Sequence, residues 1–208
     1  MQTTLFGRTE APGFDAGFAK AQRIELDERG AWIDRVQGWI TGHEALMARL
    51  RDGLAWHQQR RPMYERVVDV PRLLASVPRD GDEPLLHAMA DALSRRYRVR
   101  FDAISLALYR DGADSVAWHR DKHICDWPRA FVAVASLGGN RRFMVRPLGG
   151  GPSRTVTTGW GDLVVMGGAT QRRWEHAIPK ERHAEPRMAL MFRHSSQAPR
   201  HGERQTSA

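Results

Sequence analysis

The chain has 208 residues, 41% of them hydrophobic, a formal net charge of +8 and a single cysteine, Cys125. That is enough apolar material for one buried core, with no unbroken apolar run of about eighteen residues such as a membrane helix needs. One cysteine excludes an internal disulfide and points to a reducing, cytoplasmic compartment, and MQTTLFGRTEAPGFDAGF lacks the basic-then-apolar order of a secretory signal.

Residues 1–20 read as an irregular lead-in, and RGAWIDRVQGW as small strands and turns. HEALMARLRDGLAW places Leu46, Leu50 and Leu54 at helical spacing, and EPLLHAMADALSRRY repeats the pattern at Leu85, Met89 and Leu93. Between these two helices, RRPMYERVVDVPRLLASVPRDGDEP is turn-rich around Pro71 and from Pro78 to Asp82. After Arg100 the pattern changes. FDAISLALY, AFVAVASL, RRFMVRPL, RTVTTG, DLVVMGG and RMALMFRH are short, bounded by turn residues, and read as strands. GGGPS, from Gly149 to Ser153, reads as a hairpin turn rather than a phosphate cradle, because no helix follows it. Helices followed by evenly spaced strands predict an α+β, mainly β chain built as a sandwich or jelly roll. The polar residues 195–208 read as a disordered tail.

AWHRDKHICDW concentrates imidazole and carboxylate at His119, Asp121, His123 and Asp126. On a strand, His119 and Asp121 share a face and can hold one ion together. His123 shares the face but lies ~13 Å from His119 along an extended strand, too far for ligands that stand about 2 Å from one metal. The third ligand is expected elsewhere, and His176 in RRWEHAIPK is the choice. His183, in a charged loop, and His194, at the end of the last strand, read as solvent-facing. Two imidazoles and a carboxylate with open positions suit non-heme Fe(II); the same set could hold zinc, with Glu175 as a base. In the last strand, Arg187 and Arg193 flank an apolar run and fall on one face, so Arg187 calls for an anionic partner such as a dicarboxylate co-substrate.

Together, LALYRDGADSVAWHRD, DLVVMGGATQRRWEHAIPK and PRMALMFRH resemble the AlkB family of Fe(II)- and 2-oxoglutarate-dependent dioxygenases, from about Trp56 to His194. The resemblance implies a double-stranded β-helix (jelly roll) catalytic core at 101–194. Residues 1–100 would be a helical extension with a nucleotide-recognition lid, packed on that core. It implies Fe(II), 2-oxoglutarate and O2 as cofactor and co-substrates. His119, Asp121 and His176 would be catalytic metal ligands. Tyr109 and Arg187 would bind 2-oxoglutarate, and Arg193 would lie near Asp121 and the other end of the co-substrate. Trp56, Tyr64 and His123 are the candidate substrate-binding residues. The family pattern often has polar residues where this chain has Ala107, Ala189 and Met191, and aromatics after PRL where it has none.

The implied function is oxidative demethylation of 1-methyladenine- or 3-methylcytosine-type bases in DNA or RNA with release of formaldehyde, by a monomer with no membrane partner. The alternatives are a dioxygenase for a protein or small-molecule substrate, and a non-catalytic nucleic-acid-binding homologue. Among the 32 Lys+Arg residues arginine dominates. Arginine forks match phosphate, with Arg60, Arg61, Arg141 and Arg142 as candidate clusters.

Overall fold

The computed structural model describes residues 10–63, 66–78, 80–121 and 129–194. Its elements in chain order are β1 (Gly13–Phe14), β2 (Ala21–Glu25), β3 (Ala31–Val36), β4 (Ile40–Thr41), α1 (His43–Gly53), β5 (His57–Met63), β6 (Arg66–Val77), α2 (Pro84–Tyr97), β7 (Ala103–Tyr109), β8 (Val116–His119), β9 (Val132–Gly138), β10 (Arg141–Pro147), β11 (Arg154–Thr158), β12 (Leu163–Gly168), α3 (Thr170–Arg173), β13 (Trp174–Ile178) and β14 (Arg187–Arg193). One large sheet runs β2-β3-β12-β9-β14-β7-β6-β5, a smaller one β11-β10-β13-β8, and β1 pairs with β4. All these pairings are antiparallel, as in a jelly roll.

Strand β14 shows why the layers form. Lying between β9 and β7, it turns Met188, Leu190 and Phe192 to one face and Arg187, Ala189, Met191 and Arg193 to the other. The first face joins a core that also holds Leu46 and Leu50 of α1 and Leu86, Met89 and Leu93 of α2. Burying each such side chain contributes about 1.5–3 kcal/mol. The opposite face closes a second core against the small sheet, through Val132, Val134 and Val164 on one side and Phe143, Val145 and Ile178 on the other. The chemistry lies between the two sheets.

Three expectations change. The N-terminal stretch, expected as a helical extension packed on the core, also contributes strands to the large sheet. β3 lies inside the large sheet, hydrogen-bonded to β12, and β6 pairs with β7. Asp34 of β3 receives Arg23 of β2 at 2.8 Å and the Tyr97 hydroxyl of α2 at 3.0 Å, which ties this stretch to the second helix. The segment expected to be turn-rich around Pro71 is instead the hairpin β5–β6. Its register slips between Gln58↔Leu73 and Arg60↔Asp69, so Pro71 falls in a bulge, where its missing N–H breaks no ladder bond. Strands β8 and β13 were absent from the six strands expected, because each is short and carries polar side chains. The GGGPS turn does join β10 to β11, with Gly149 and Gly150 at φ 85° and 112°, a region that favours glycine.

Candidate metal centre and co-substrate cleft

His119 and His176 are direct cross-strand partners on β8 and β13, with ring centroids 4.2 Å apart. Strand β8 ends at His119, so Asp121 does not reach the site by sharing a strand face as expected. It stands in the loop just beyond, where Gln171 Oε1 accepts its backbone N–H at 3.1 Å. There Asp121 Oδ2 is 3.8 Å from His176 Nε2. Two ligands each about 2 Å from one ion are at most about 4 Å apart, so the separation suits a shared metal. The set is gathered rather than closed: among the described residues no three such groups meet the geometry of a loaded site.

The electrostatics favour ligation. His119 Nδ1 donates to the Ala117 carbonyl at 2.9 Å, which leaves Nε2 with its lone pair. Burial, and then the neighbouring His119, lower the pKa of His176 to about 3, and burial lowers that of His119, so both imidazoles are neutral. The ring of Phe143 stacks on His176 at 5.5 Å. For Asp121, burial pushes the pKa up, but Arg193, His176 and His119 together outweigh it and hold the carboxyl ionised. Arg193 Nε donates to Asp121 Oδ1 at 2.7 Å, while Oδ2 is buried without a hydrogen-bond partner. An orphaned carboxylate oxygen beside two neutral imidazoles is the donor set a divalent cation fits.

Tyr109, His119, His176, Arg187 and Arg193, named together through the family resemblance, line one cleft. Arg187 is 1% exposed and stands opposite Tyr109 in the β14–β7 ladder, its guanidinium 5.4 Å from the tyrosine ring. It donates to Ser136 Oγ at 2.7 Å and Thr158 Oγ1 at 3.5 Å, while Nε and Nη1 have no partner. Burial lowers its pKa, opposed by Tyr109. Ala189 and Met191, two of the departures from the family pattern, face the same cleft.

Other expected residues fall elsewhere. Trp56 is not among the residues lining the cleft; it packs on the helical core and its Nε1 donates to the Arg51 carbonyl at 3.0 Å. Tyr64, His123, Cys125 and Asp126 lie outside the described residues, as does the side chain of Arg61. His194 is not solvent-facing: it is buried, and its Nε2 accepts the Phe131 N–H at 3.1 Å. Glu175 is not a base beside the metal, because it binds Arg146 at 2.6 Å and lies next to His176 on its strand, hence on the opposite face. Arg141 is not a surface phosphate contact. It is buried and donates to the carbonyls of Asp111, Asp114 and Pro179. Its neighbour Arg142 is exposed but engaged by Glu181.

Sequence reasoning missed two residues. Gln171, 1% exposed, anchors the loop that carries Asp121. Arg72, in the β6 bulge, lines the cleft; bulges re-aim side chains beside sites, and a proline flanking an arginine was the one signal available.

Residues 41–203 match the 2OG-Fe(II) oxygenase superfamily. Alpha-ketoglutarate-dependent dioxygenase alkB homolog 3 of Homo sapiens is 30% identical over 149 residues, covering 67% of this chain and 50% of that protein. DNA oxidative demethylase ALKBH2 of Arabidopsis thaliana is 31% identical over 140 residues, covering 54% of this chain and 44% of that protein. The chain thus spans about half the length of the curated relatives it matches. The solved structure of OsALKBH1 shares the fold, with a TM-score of 0.60 at 14% identity over 83% of this chain and 100% of that one. With two imidazoles and a buried arginine lining one jelly-roll cleft and a carboxylate beside them, the chain belongs to the 2OG-Fe(II) oxygenase superfamily and, within it, to the AlkB family.

Proposed function

We propose that this chain oxidatively removes N-methyl groups from nucleobases of the 1-methyladenine and 3-methylcytosine type in DNA or RNA, releasing formaldehyde. The observation that carries the reading is one cleft holding His119 and His176, with Asp121 alongside, together with a buried Arg187 that has no carboxylate partner among the described residues. The dioxygenase and oxidative-demethylase names of the relatives support it.

In this reading His119 Nε2, His176 and Asp121 Oδ2 hold Fe(II). Arg187 and Tyr109 hold the far carboxylate of 2-oxoglutarate. When bound, these groups and O2 supply one oxygen atom to the N-methyl carbon and one to succinate, with loss of CO2; the hydroxymethyl amine then splits to formaldehyde and the bare base. The protein's part is to keep both imidazoles neutral, to hold Asp121 ionised through Arg193, and to wall the cleft with Val132, Val134, Phe143 and Ile178. The methylated base must leave its stack to enter. The hairpin β5–β6, at the sheet edge beside β7 and carrying Arg72 into the cleft, is the segment we assign as the nucleotide-recognition lid.

The test is turnover with Fe(II), 2-oxoglutarate and O2, with and without single-stranded DNA containing 1-methyladenine. Formaldehyde released only with the methylated oligonucleotide is the expected result. Succinate formed regardless of the oligonucleotide moves the activity to another substrate, and DNA binding without turnover leaves a non-catalytic binding module.

A further inference from the structure

The arginines are not spread evenly over the surface. Helix α2 ends in SRRYRVRF, in which Tyr97, Val99 and Phe101 are buried and Arg95, Arg96, Arg98 and Arg100 are exposed. Arg129, also exposed, is pinned to the same corner by its Nη2, which donates to the Tyr97 carbonyl at 3.0 Å. Arg129 thus brings a fifth exposed arginine to the C-terminal end of α2. Arg96 and Arg129 stack over aromatic rings there, on Phe18 at 4.9 Å and Phe131 at 5.9 Å. No ion pair among the described residues engages Arg95, Arg98 or Arg100.

Along the strand direction the corner lies at the end of the large sheet that carries Arg193, with α2 itself on the face away from the cleft. The chain leaves the corner through Asp102, whose N–H donates to the Arg193 carbonyl at 3.0 Å, and Ala103 is the ladder partner of Arg193. Arg193 is the residue that reaches Asp121. At the opposite end, beyond Tyr109 and Arg187, a surface cleft of about 1100 Å³ mixes Lys180, Arg182 and His183 with Asp111, Glu181 and Glu185, so the signs balance there. Arg98 adds a second observation. It closes α2 at φ 54°, in the left-handed region where glycine is the usual residue. A strained, exposed arginine gives the fold nothing that glycine would not give better.

We infer that this corner is a phosphate track: it binds the phosphodiester backbone flanking the nucleotide whose base enters the cleft. The inference rests on the nucleic-acid reading above and adds where the strand lies. Arg95 and Arg98 carry most of the contact. Arg100 contributes least, because it borders a small pocket together with Asp91 and Asp102.

The test measures affinity for an unmodified single-stranded oligonucleotide by fluorescence anisotropy from 50 to 200 mM NaCl, so no turnover is needed. Each phosphate contact contributes about 0.7 to the slope of log affinity against log salt on a single strand. The wild-type protein should therefore lose roughly 7- to 20-fold more affinity across that range than a variant carrying Arg95→Gln, Arg98→Gln and Arg100→Gln. Arg98→Gly is the companion variant. It removes the charge and relieves the backbone, so it should melt at or above the wild-type temperature and still bind more weakly. An unchanged salt slope in the triple variant, with wild-type binding intact, overturns the track and leaves the nucleic-acid reading standing. A wild-type protein that binds no oligonucleotide overturns both. Weakened binding to phosphatidylserine vesicles with unchanged oligonucleotide binding assigns the corner to a membrane and overturns the proposal.

Discussion

Arg187→Met should make the ligand-free protein at least as stable as the wild type while crippling its hold on 2-oxoglutarate. In the ligand-free fold Arg187 is a buried cation with two hydroxyl partners and two nitrogens without any. Replacing a buried ion by an apolar side chain of similar length is neutral or stabilising by about 1–4 kcal/mol. Loss of the bond to Ser136 Oγ offsets about 1 kcal/mol of that. The net gain of about 0–3 kcal/mol raises the melting temperature by about 2–4 °C per kcal/mol for a chain of this size. With the co-substrate bound, the same change removes one partner of a buried charge pair, which costs about 3–5 kcal/mol, a rise of roughly 100- to 5000-fold in Kd. The assay is thermal melting of the Mn(II)-loaded protein with and without 2-oxoglutarate. At 100 times its Kd the ligand adds about 2.7 kcal/mol to the wild type. The same concentration should leave the variant's melting temperature unmoved. A ligand-free variant that melts several degrees below the wild type, or one that keeps the full ligand-induced shift, would refute the assignment of Arg187 as an anion holder.

Three further outcomes follow from particular contacts. Gln171→Leu frees the loop that positions Asp121, so calorimetric Mn(II) titration well below the melting temperature should give a Kd about 10- to 100-fold higher, and an unchanged Kd would show that the amide does not position the ligand. Arg141→Met should destabilise the fold by about 3–5 kcal/mol in urea titration, because its guanidinium clamps three carbonyls, while oligonucleotide affinity of the folded protein stays the same. Weaker DNA binding at unchanged stability would return Arg141 to the phosphate-contact role expected from the sequence. For pH, burial holds His176 neutral down to about 3, against an ordinary value of 6.5. Between those values the unfolded chain binds a proton that the folded chain refuses, so the stability of the metal-free protein should fall as pH drops through that window. His176→Asn should flatten the dependence, and an equally steep profile in that variant would show that other groups cause it.

The candidate metal ligands could be singled out from sequence because each residue type carries its chemistry with it. A shared strand face does not bring Asp121 to His119, however, because the strand stops at His119. Gln171 achieves what the strand does not, by holding the Asp121 N–H from α3, fifty positions along the chain. Exposure was harder to read than identity. His194 and Arg141 both look like surface residues in sequence, yet each is buried because a backbone group lies at the right distance to pair with it.

Local pattern determined what local physics controls. The helical spacing in α1 and α2 and the even spacing of Arg187 and Arg193 follow from side-chain periods of 3.6 and 2, and the turn at Gly149–Gly151 from glycine's freedom at positive φ. Those periods say which residues share a face of one element, but not which element that face meets. Only the tertiary structure decided that β3 enters the large sheet, that Pro71 sits in a bulge aiming Arg72 at the cleft, and that Arg129 joins the arginines at the end of α2. Each depends on pairing between strands or segments far apart in the chain, and register between them is set by the whole sheet rather than by any short stretch of residues.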